Sequence, residues 1–222
     1  MKRHLLTTAD GSTTLRIEDW DEPYHSVHGA IQESRHVFIK EGLRHIGHGP
    51  ISVLEMGFGT GLNALLTLLE ADILQHPISY EGVEAFPLTL AEVAQLNYIE
   101  QLGIPDYKAA FELMHSCAWE EWKSLSPFFT LFKRRCDFLQ LRPVGTYDLI
   151  YYDAFGARVQ PELWTETQFE KMYAMLGAGG ILVTYAAKGS IRRAMQAVGF
   201  IVERLPGPPG KREMLRASKP PL

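Results

Sequence analysis

Two cysteines in 222 residues, Cys117 and Cys136, are too few for a disulfide framework and supply no Cys-x-x-Cys pair for zinc. Both read as small core or loop residues of a chain kept in a reducing, cytoplasmic compartment. Long apolar runs are missing as well, and nothing approaches the ~20 residues that cross a bilayer. The opening MKRHLLTTADGS has a basic start but only two leucines before polar residues begin, so it does not read as a secretory signal. A surplus of positive charge is also lacking. The formal net charge of −4 disfavours sequence-independent attraction to nucleic acid, and a polyanion has to be held by local basic patches. There is no internal repeat and no low-complexity segment. What remains is an ordinary globular composition, 46% apolar and 22% charged, sized for one large domain or one domain with a small extension.

Residues 51–71, ISVLEMGFGTGLNALLTLLEA, are the most informative stretch. A buried-looking strand runs into Glu55, then into Gly57, Phe58, Gly59, Thr60 and Gly61, and an apolar helix pattern starts at once. Such a turn lets backbone N–H groups approach a ligand closely. A dinucleotide turn wants G-x-G-x-x-G. Counted from Gly57 the third slot holds Leu62, and counted from Gly59 it holds Ala64. A carboxylate at Glu55 repels a pyrophosphate but attracts the ammonium of an amino acid. S-adenosylmethionine carries an ammonium and a sulfonium and no phosphate, so these details favour it.

Around this core the pattern predicts a front section, residues 1–50, and a main domain, residues 51–222. In the front section, residues 5–17 read as a hairpin about Asp10-Gly11 and residues 31–46 as a helix. In the main domain, strands and helices alternate, which predicts a parallel sheet covered on both faces. Helices are expected over 62–74, from Pro87 toward Asn97, over 111–124, over 161–176 and over 190–198. Strands are expected over 51–54, 78–83, 128–136, 147–152 and 181–185. Residues 200–205 and 212–217 flank Gly207-Pro208-Pro209-Gly210 as an antiparallel hairpin on the sheet edge, and the terminal SKPPL is expected to fray.

Ligands of open parallel sheets bind beyond the carboxyl ends of the strands. Four acids fall at such ends: Glu55, Glu84, Asp137 and Asp153. Glu84 lies roughly twenty residues past the glycine turn, the spacing at which a carboxylate reaches ribose hydroxyls. Asp137 is a candidate acceptor for an adenine amino group, unless the neighbouring Lys133-Arg134-Arg135 run pairs with it. Asp153 ends the fourth strand, where a sulfonium methyl should lie.

The segments DEPYHSVHGAIQESRHVFIKEGL, MGFGTGLN, YYDAFGARVQPELWTETQFEKM and GKREML carry a family resemblance over nearly the whole chain. The chain resembles the methyltransferase half of the bacterial bifunctional enzyme family that makes 5-methylaminomethyl-2-thiouridine in tRNA, and more closely the stand-alone form lacking the flavin oxidoreductase half. One departure is Asp153-Ala154-Phe155-Gly156-Ala157 where the family often has Asp-Gly-Phe-Ala-Pro. The resemblance implies a Rossmann-like class I S-adenosylmethionine-dependent methyltransferase fold: a mostly parallel seven-stranded sheet with a C-terminal antiparallel hairpin and a small N-terminal extension. It implies S-adenosylmethionine as cofactor and tRNA as partner, with methylation of the aminomethyl group at C5 of the wobble uridine. A separate flavin oxidoreductase or another enzyme is then expected to supply that amine. Asp153 is the expected catalytic residue, positioning the amine and accepting its proton.

Lys188, Arg192, Arg193, Lys211 and Arg212, together with Arg216, are the candidate RNA contacts, and Phe155 or Trp164 the candidate base-stacking ring. His25, His28, His36, His45 and His48 do not have zinc spacing and read as surface or structural residues; the resemblance implies that Tyr24 and His25 line the cofactor or base pocket. No metal and no membrane is expected. Two other readings stay open: a polyamine aminopropyltransferase-like enzyme, and a non-catalytic tRNA-binding partner.

Overall fold

The computed structural model describes residues 2–47, 49–143 and 145–221. At the front, β1 (Arg3–Thr7) and β2 (Thr13–Ile17) pair antiparallel, with Asp10 and Gly11 in the turn. Asp10 closes that turn by accepting from the Ser12 backbone N–H and the Thr8 hydroxyl. A short β3 (Glu22–Pro23) joins β2 and completes a small three-stranded sheet. Residues 30–46 are helical as expected but not uniform. Between α1 (Ala30–Ser34) and α2 (Arg44–Ile46), residues Arg35–Leu43 wind as a π-helix, a form that concentrates at functional sites. This helix lies so close to the sheet that a Cβ on Gly42 would sit 3.0 Å from Val183 and 3.3 Å from Tyr151.

The main sheet holds β4 (Ile51–Met56), β5 (Ile78–Glu84), β6 (Trp122–Ser126), β7 (Phe129–Arg135), β8 (Tyr147–Tyr152), β9 (Leu176–Thr184), β10 (Ile201–Pro206) and β11 (Glu213–Ser218). Their order is β10-β11-β9-β8-β4-β5-β7-β6. From β9 across to β7 the strands are parallel, while β6 and the β10–β11 hairpin run antiparallel. The chain moves outward one way from β4 and the other way from β8, so the crevice between their carboxyl ends is a topological switch point, the usual ligand position.

The helices are α3 (Leu62–Leu74), α4 (Leu90–Val93), α5 (Tyr98–Leu102), α6 (Lys108–Ser116), α7 (Glu166–Met175) and α8 (Gly189–Ala197). Phe38, Leu65, Tyr80 and Tyr151 fill the core on one face of the sheet, and Met56, Tyr152, Trp164, Phe169 and Met195 fill it on the other.

Three expectations are corrected. The sheet has eight strands among the described residues, not seven, because residues 111–124 are not one helix. Helix α6 ends at Ser116, Glu120 takes φ 62°, and its N–H donates to the Lys133 carbonyl at 2.8 Å. The chain thus folds back on β7 as β6, with Trp122 against Phe132 at 5.3 Å, so cross-strand pairing overrides the helical pattern. Pro87 does not open a helix; Thr89 does, through a capping box with Glu92. The C-terminal stretch does not hang free at Lys219, whose N–H donates to the Gly180 carbonyl and whose ammonium donates to the Leu176 carbonyl at 2.6 Å. Leu222 of that stretch and His48 of the histidine set lie outside the described residues.

Candidate active site

A cavity of about 350 Å³ opens beyond the carboxyl ends of the parallel strands. Its floor is the turn between β4 and α3. Gly57 holds φ 105° and passes so near the next strand end that a Cβ would lie 2.7 Å from the Asp153 carbonyl oxygen. The N–H groups of Gly57 and Phe58 donate to the Val83 carbonyl, that of Gly61 to the Phe58 carbonyl, and that of Gly59 to Glu84. These donors are therefore spent inside the protein and do not form an empty phosphate cradle. The lining adds Glu22, Glu33, Glu84, Asp137 and Asp153 against Lys211, which suits a cationic ligand better than a phosphate ester. That chemistry fits S-adenosylmethionine.

The four strand-end acids are held in different ways. Glu84 is buried at the end of β5 and accepts from the Gly59 N–H at 3.0 Å and the Phe86 N–H at 2.8 Å. Desolvation raises its carboxyl and those N–H groups oppose the rise. Asp137 is exposed on the cavity wall and caps the Leu139 N–H at 2.8 Å. The basic run before it is engaged elsewhere: Arg134 binds Glu81 at 2.6 Å, and Lys133 donates to the His115 carbonyl at 2.8 Å.

Asp153 follows β8, with its backbone N–H on the Met56 carbonyl and its Oδ2 accepting from the Asn63 amide at 2.9 Å. Its carboxyl is enclosed by protein but opens on the cavity. Desolvation, with the Glu33 charge adding, pushes it up from 3.8 to about 7, against the Asn63 hydrogen bond and Lys211.

Glu55 does not border the cavity, so the expected direct contact with a ligand ammonium is corrected. It is fully buried behind the turn, where its Oε1 accepts from the same Asn63 amide at 2.8 Å and its carboxyl lies beside the Tyr80 hydroxyl. Burial and the neighbouring Asp153 raise its carboxyl well above the ordinary range. Asn63 thus bridges two carboxylates, a link absent from any local sequence pattern.

The roof comes from the front section. Tyr24 accepts from Arg3 Nε at 2.9 Å and sits edge-on to Phe155 at 5.0 Å, with Trp20 on the same ring at 5.4 Å. Arg158 ties the Phe155 loop to Glu22 and to the Trp20 carbonyl. Trp164 is buried and donates its ring N–H to the Phe155 carbonyl at 2.8 Å, so it braces the loop instead of offering a free stacking face. His25 is buried between Thr14 Oγ1 at 2.9 Å and Thr60 Oγ1 at 3.5 Å, and desolvation lowers it to about 4, keeping it neutral. Among the described residues no group of three or more His, Cys, Asp or Glu is placed to hold a metal ion.

The basic residues separate. Lys188, at the start of α8, Arg193 and Arg212 are exposed and Arg192 is half-buried. Lys211 instead lines the cavity on Glu33, with its ammonium 3.9 Å from the Tyr185 ring centroid. Arg216 is buried on Glu203 at 3.0 Å and Glu41 at 3.5 Å, which removes it from the surface set. Glu33 and Tyr185 are cavity residues that sequence reasoning passed over, because neither lies in a glycine turn or at a strand-end acid position.

Comparison with known proteins agrees with this geometry. Residues 135–220 match the family described as S-adenosyl-L-methionine-dependent methyltransferase. The MnmC2 structure from Aquifex aeolicus superposes with a TM-score of 0.79 at 25% identity, covering 100% of this chain and 72% of that one. A methyltransferase from Pyrococcus furiosus shares the fold at a TM-score of 0.52 and 19% identity. The tRNA 5-methylaminomethyl-2-thiouridine biosynthesis bifunctional protein MnmC of Aromatoleum aromaticum is 31% identical over 96% of this chain, and that of Pseudomonas savastanoi pv. phaseolicola is 27% identical over 97%. The chain spans about a third of the length of these curated relatives. Fold, turn and family match define a Rossmann-like methyltransferase that uses S-adenosylmethionine. More particularly, the chain is related over nearly its whole length to one third of the MnmC bifunctional proteins, as its sequence motifs had implied.

Proposed function

We propose that the chain methylates the aminomethyl group at C5 of a wobble uridine in tRNA, giving the 5-methylaminomethyl form, with or without the 2-thio group. The names of its relatives support the RNA half of this reading. The amine half rests on Asp153, a carboxylate at the switch-point crevice whose carboxyl is pushed up to about 7. When bound, S-adenosylmethionine supplies an electrophilic methyl on a sulfonium that departs as a neutral thioether. An alkylamine is protonated in water and must lose that proton before its lone pair can form the N–C bond. Asp153 accepts the hydrogen bond from the amine and takes the proton; a carboxyl near neutrality is matched to that task. Asn63 fixes its orientation, and Tyr24 and Phe155 keep water from that end of the cavity. Positioning of the two reactants supplies up to roughly 7–11 kcal/mol of the barrier reduction.

Glu84 takes the ribose hydroxyls, its two backbone donors leaving lone pairs free on both oxygens. The turn Gly57, Phe58, Gly59, Thr60 and Gly61 holds the body of the cofactor, and Asp137 the adenine amino group. Lys188, Arg192, Arg193 and Arg212 meet RNA phosphates. Residues 1–50 act as an extension that roofs the domain of residues 51–222. The reaction belongs in the cytoplasm, beside a flavin oxidoreductase or other enzyme that supplies the amine. The test is to incubate the protein with labelled S-adenosylmethionine and tRNA carrying 5-aminomethyl uridine, then analyse nucleosides by mass spectrometry. Label at the wobble nucleoside is the expected result; label elsewhere, or none, overturns the reading.

A further inference from the structure

Lys211 belongs by charge with the residues read as phosphate contacts, yet its ammonium faces into the cavity. It is bound to Glu33 Oε1 and covers the Tyr185 ring, and its side chain is 30% exposed against 7% for Glu33. The other Glu33 oxygen accepts from the Ser26 N–H at 2.8 Å, so both oxygens are engaged. Tyr185 donates its hydroxyl to the Ala154 carbonyl at 2.8 Å, directly beside Asp153. Four distant segments thus converge on the acceptor end of the crevice.

Resting on the methyl-transfer reading above, we propose that Lys211 is a positioning residue for the acceptor amine: by holding Glu33 in an ion pair it offsets part of the negative charge that stands beside Asp153 where an incoming ammonium arrives. Released from Lys211, Glu33 would act against the chemistry twice. Its charge would push the Asp153 carboxyl higher, and it would stabilise the protonated, unreactive amine. The other groups facing this end do not compensate. His25 is buried and neutral, Glu22 is tied to Arg158, Glu55 lies behind Asn63, and the Tyr185 hydroxyl is held un-ionised by burial and the neighbouring acids.

The experiment compares Lys211→Met, Lys211→Arg, Glu33→Gln and the Lys211→Met/Glu33→Gln double variant. In the protein alone, the Asp153 carboxyl is titrated by NMR with labelled aspartate and assigned with Asp153→Asn. Alongside it, the acid limb of kcat/KM is followed on aminomethyl-bearing tRNA. Lys211→Met is expected to move both upward by about one pH unit, roughly a tenfold loss of rate on that limb. Lys211→Arg leaves them in place, Glu33→Gln moves them down, and the double variant returns close to the parent. An unmoved titration in Lys211→Met overturns the proposal, as does a double variant shifted as far as Lys211→Met. So does weaker tRNA binding with a shallower salt dependence and no change in titration, the signature of a phosphate contact. If the parent protein turns over no such tRNA, the methyl-transfer reading fails, while the NMR titration still decides the Lys211–Glu33–Asp153 coupling.

Discussion

The ends of β5 and β8 each carry one acid into the same crevice, and they treat it differently. At β5, Glu84 has a backbone N–H on each oxygen, donors that are part of the fold and cannot rotate away. At β8, Asp153 has one side-chain donor, Asn63, which it shares with a second buried carboxylate. Desolvation raises both carboxyls; fixed N–H groups oppose the rise at Glu84, whereas at Asp153 a single shared amide opposes it while the Glu33 charge adds to it. One scaffold therefore builds a permanent hydrogen-bond acceptor and, two strand spacings or about 10 Å of sheet away, a group poised to exchange a proton.

Substitutions can break that contrast. The largest effect is expected from Asp153→Asn, which keeps the shape and removes the base: turnover should fall by about 10²–10⁴-fold while calorimetry finds cofactor affinity within a few-fold of the parent. Equal loss of both would merge the two acids into one role. Glu84→Ala should do the reverse, weakening cofactor binding by roughly 10–100-fold, with turnover at saturation largely kept. Gly57→Ala should erase the contrast by damaging both ends. Its Cβ would press on the Asp153 carbonyl at 2.7 Å from a φ of 105°, a strain of about 1–3 kcal/mol that a thermal melt will register as lowered stability.

The smallest effect concerns pH. The folded Asp153 holds its proton up to about 7 against an ordinary 3.8, so between those values the folded protein binds a proton that the unfolded chain has released. Stability on this account falls as pH rises through that window and stays reduced above it. Asp153→Asn should therefore stabilise the fold at alkaline pH by about 1–3 kcal/mol, short of the full linkage because cavity water screens the carboxyl, and by almost nothing at acid pH. Denaturant midpoints at the two pH extremes read the difference.

Much of this was legible in the sequence because it is local. The β4 turn and the helix over 62–74 are contiguous, and a strand-end acid is visible wherever an apolar run stops at Glu or Asp. The reach of those acids was less legible. Glu55 looked like a ligand contact, but Asn63 and burial withdraw it from the crevice, and no spacing rule carries that. Glu33 sits in a helical pattern among Gln32 and Ser34, where a carboxylate reads as a solvated face; only the fold brings it to Lys211. The strand at 122–126 was hidden because Trp119 and Trp122 fit a helical face as well as a strand, and pairing with β7 decides the matter. The π-helical winding of Arg35–Leu43, the segment that includes the close approach at Gly42, has no signature along the chain.

The tie between Glu33 and Lys211 spans 178 positions of chain. During synthesis Glu33 leaves the ribosome many seconds before Lys211, at the usual ~5–20 residues per second. A growing polypeptide can lay down most of its sheet in that interval and still lack the far wall of its crevice. The Lys211 side of the crevice is completed only once the β10–β11 hairpin meets α1.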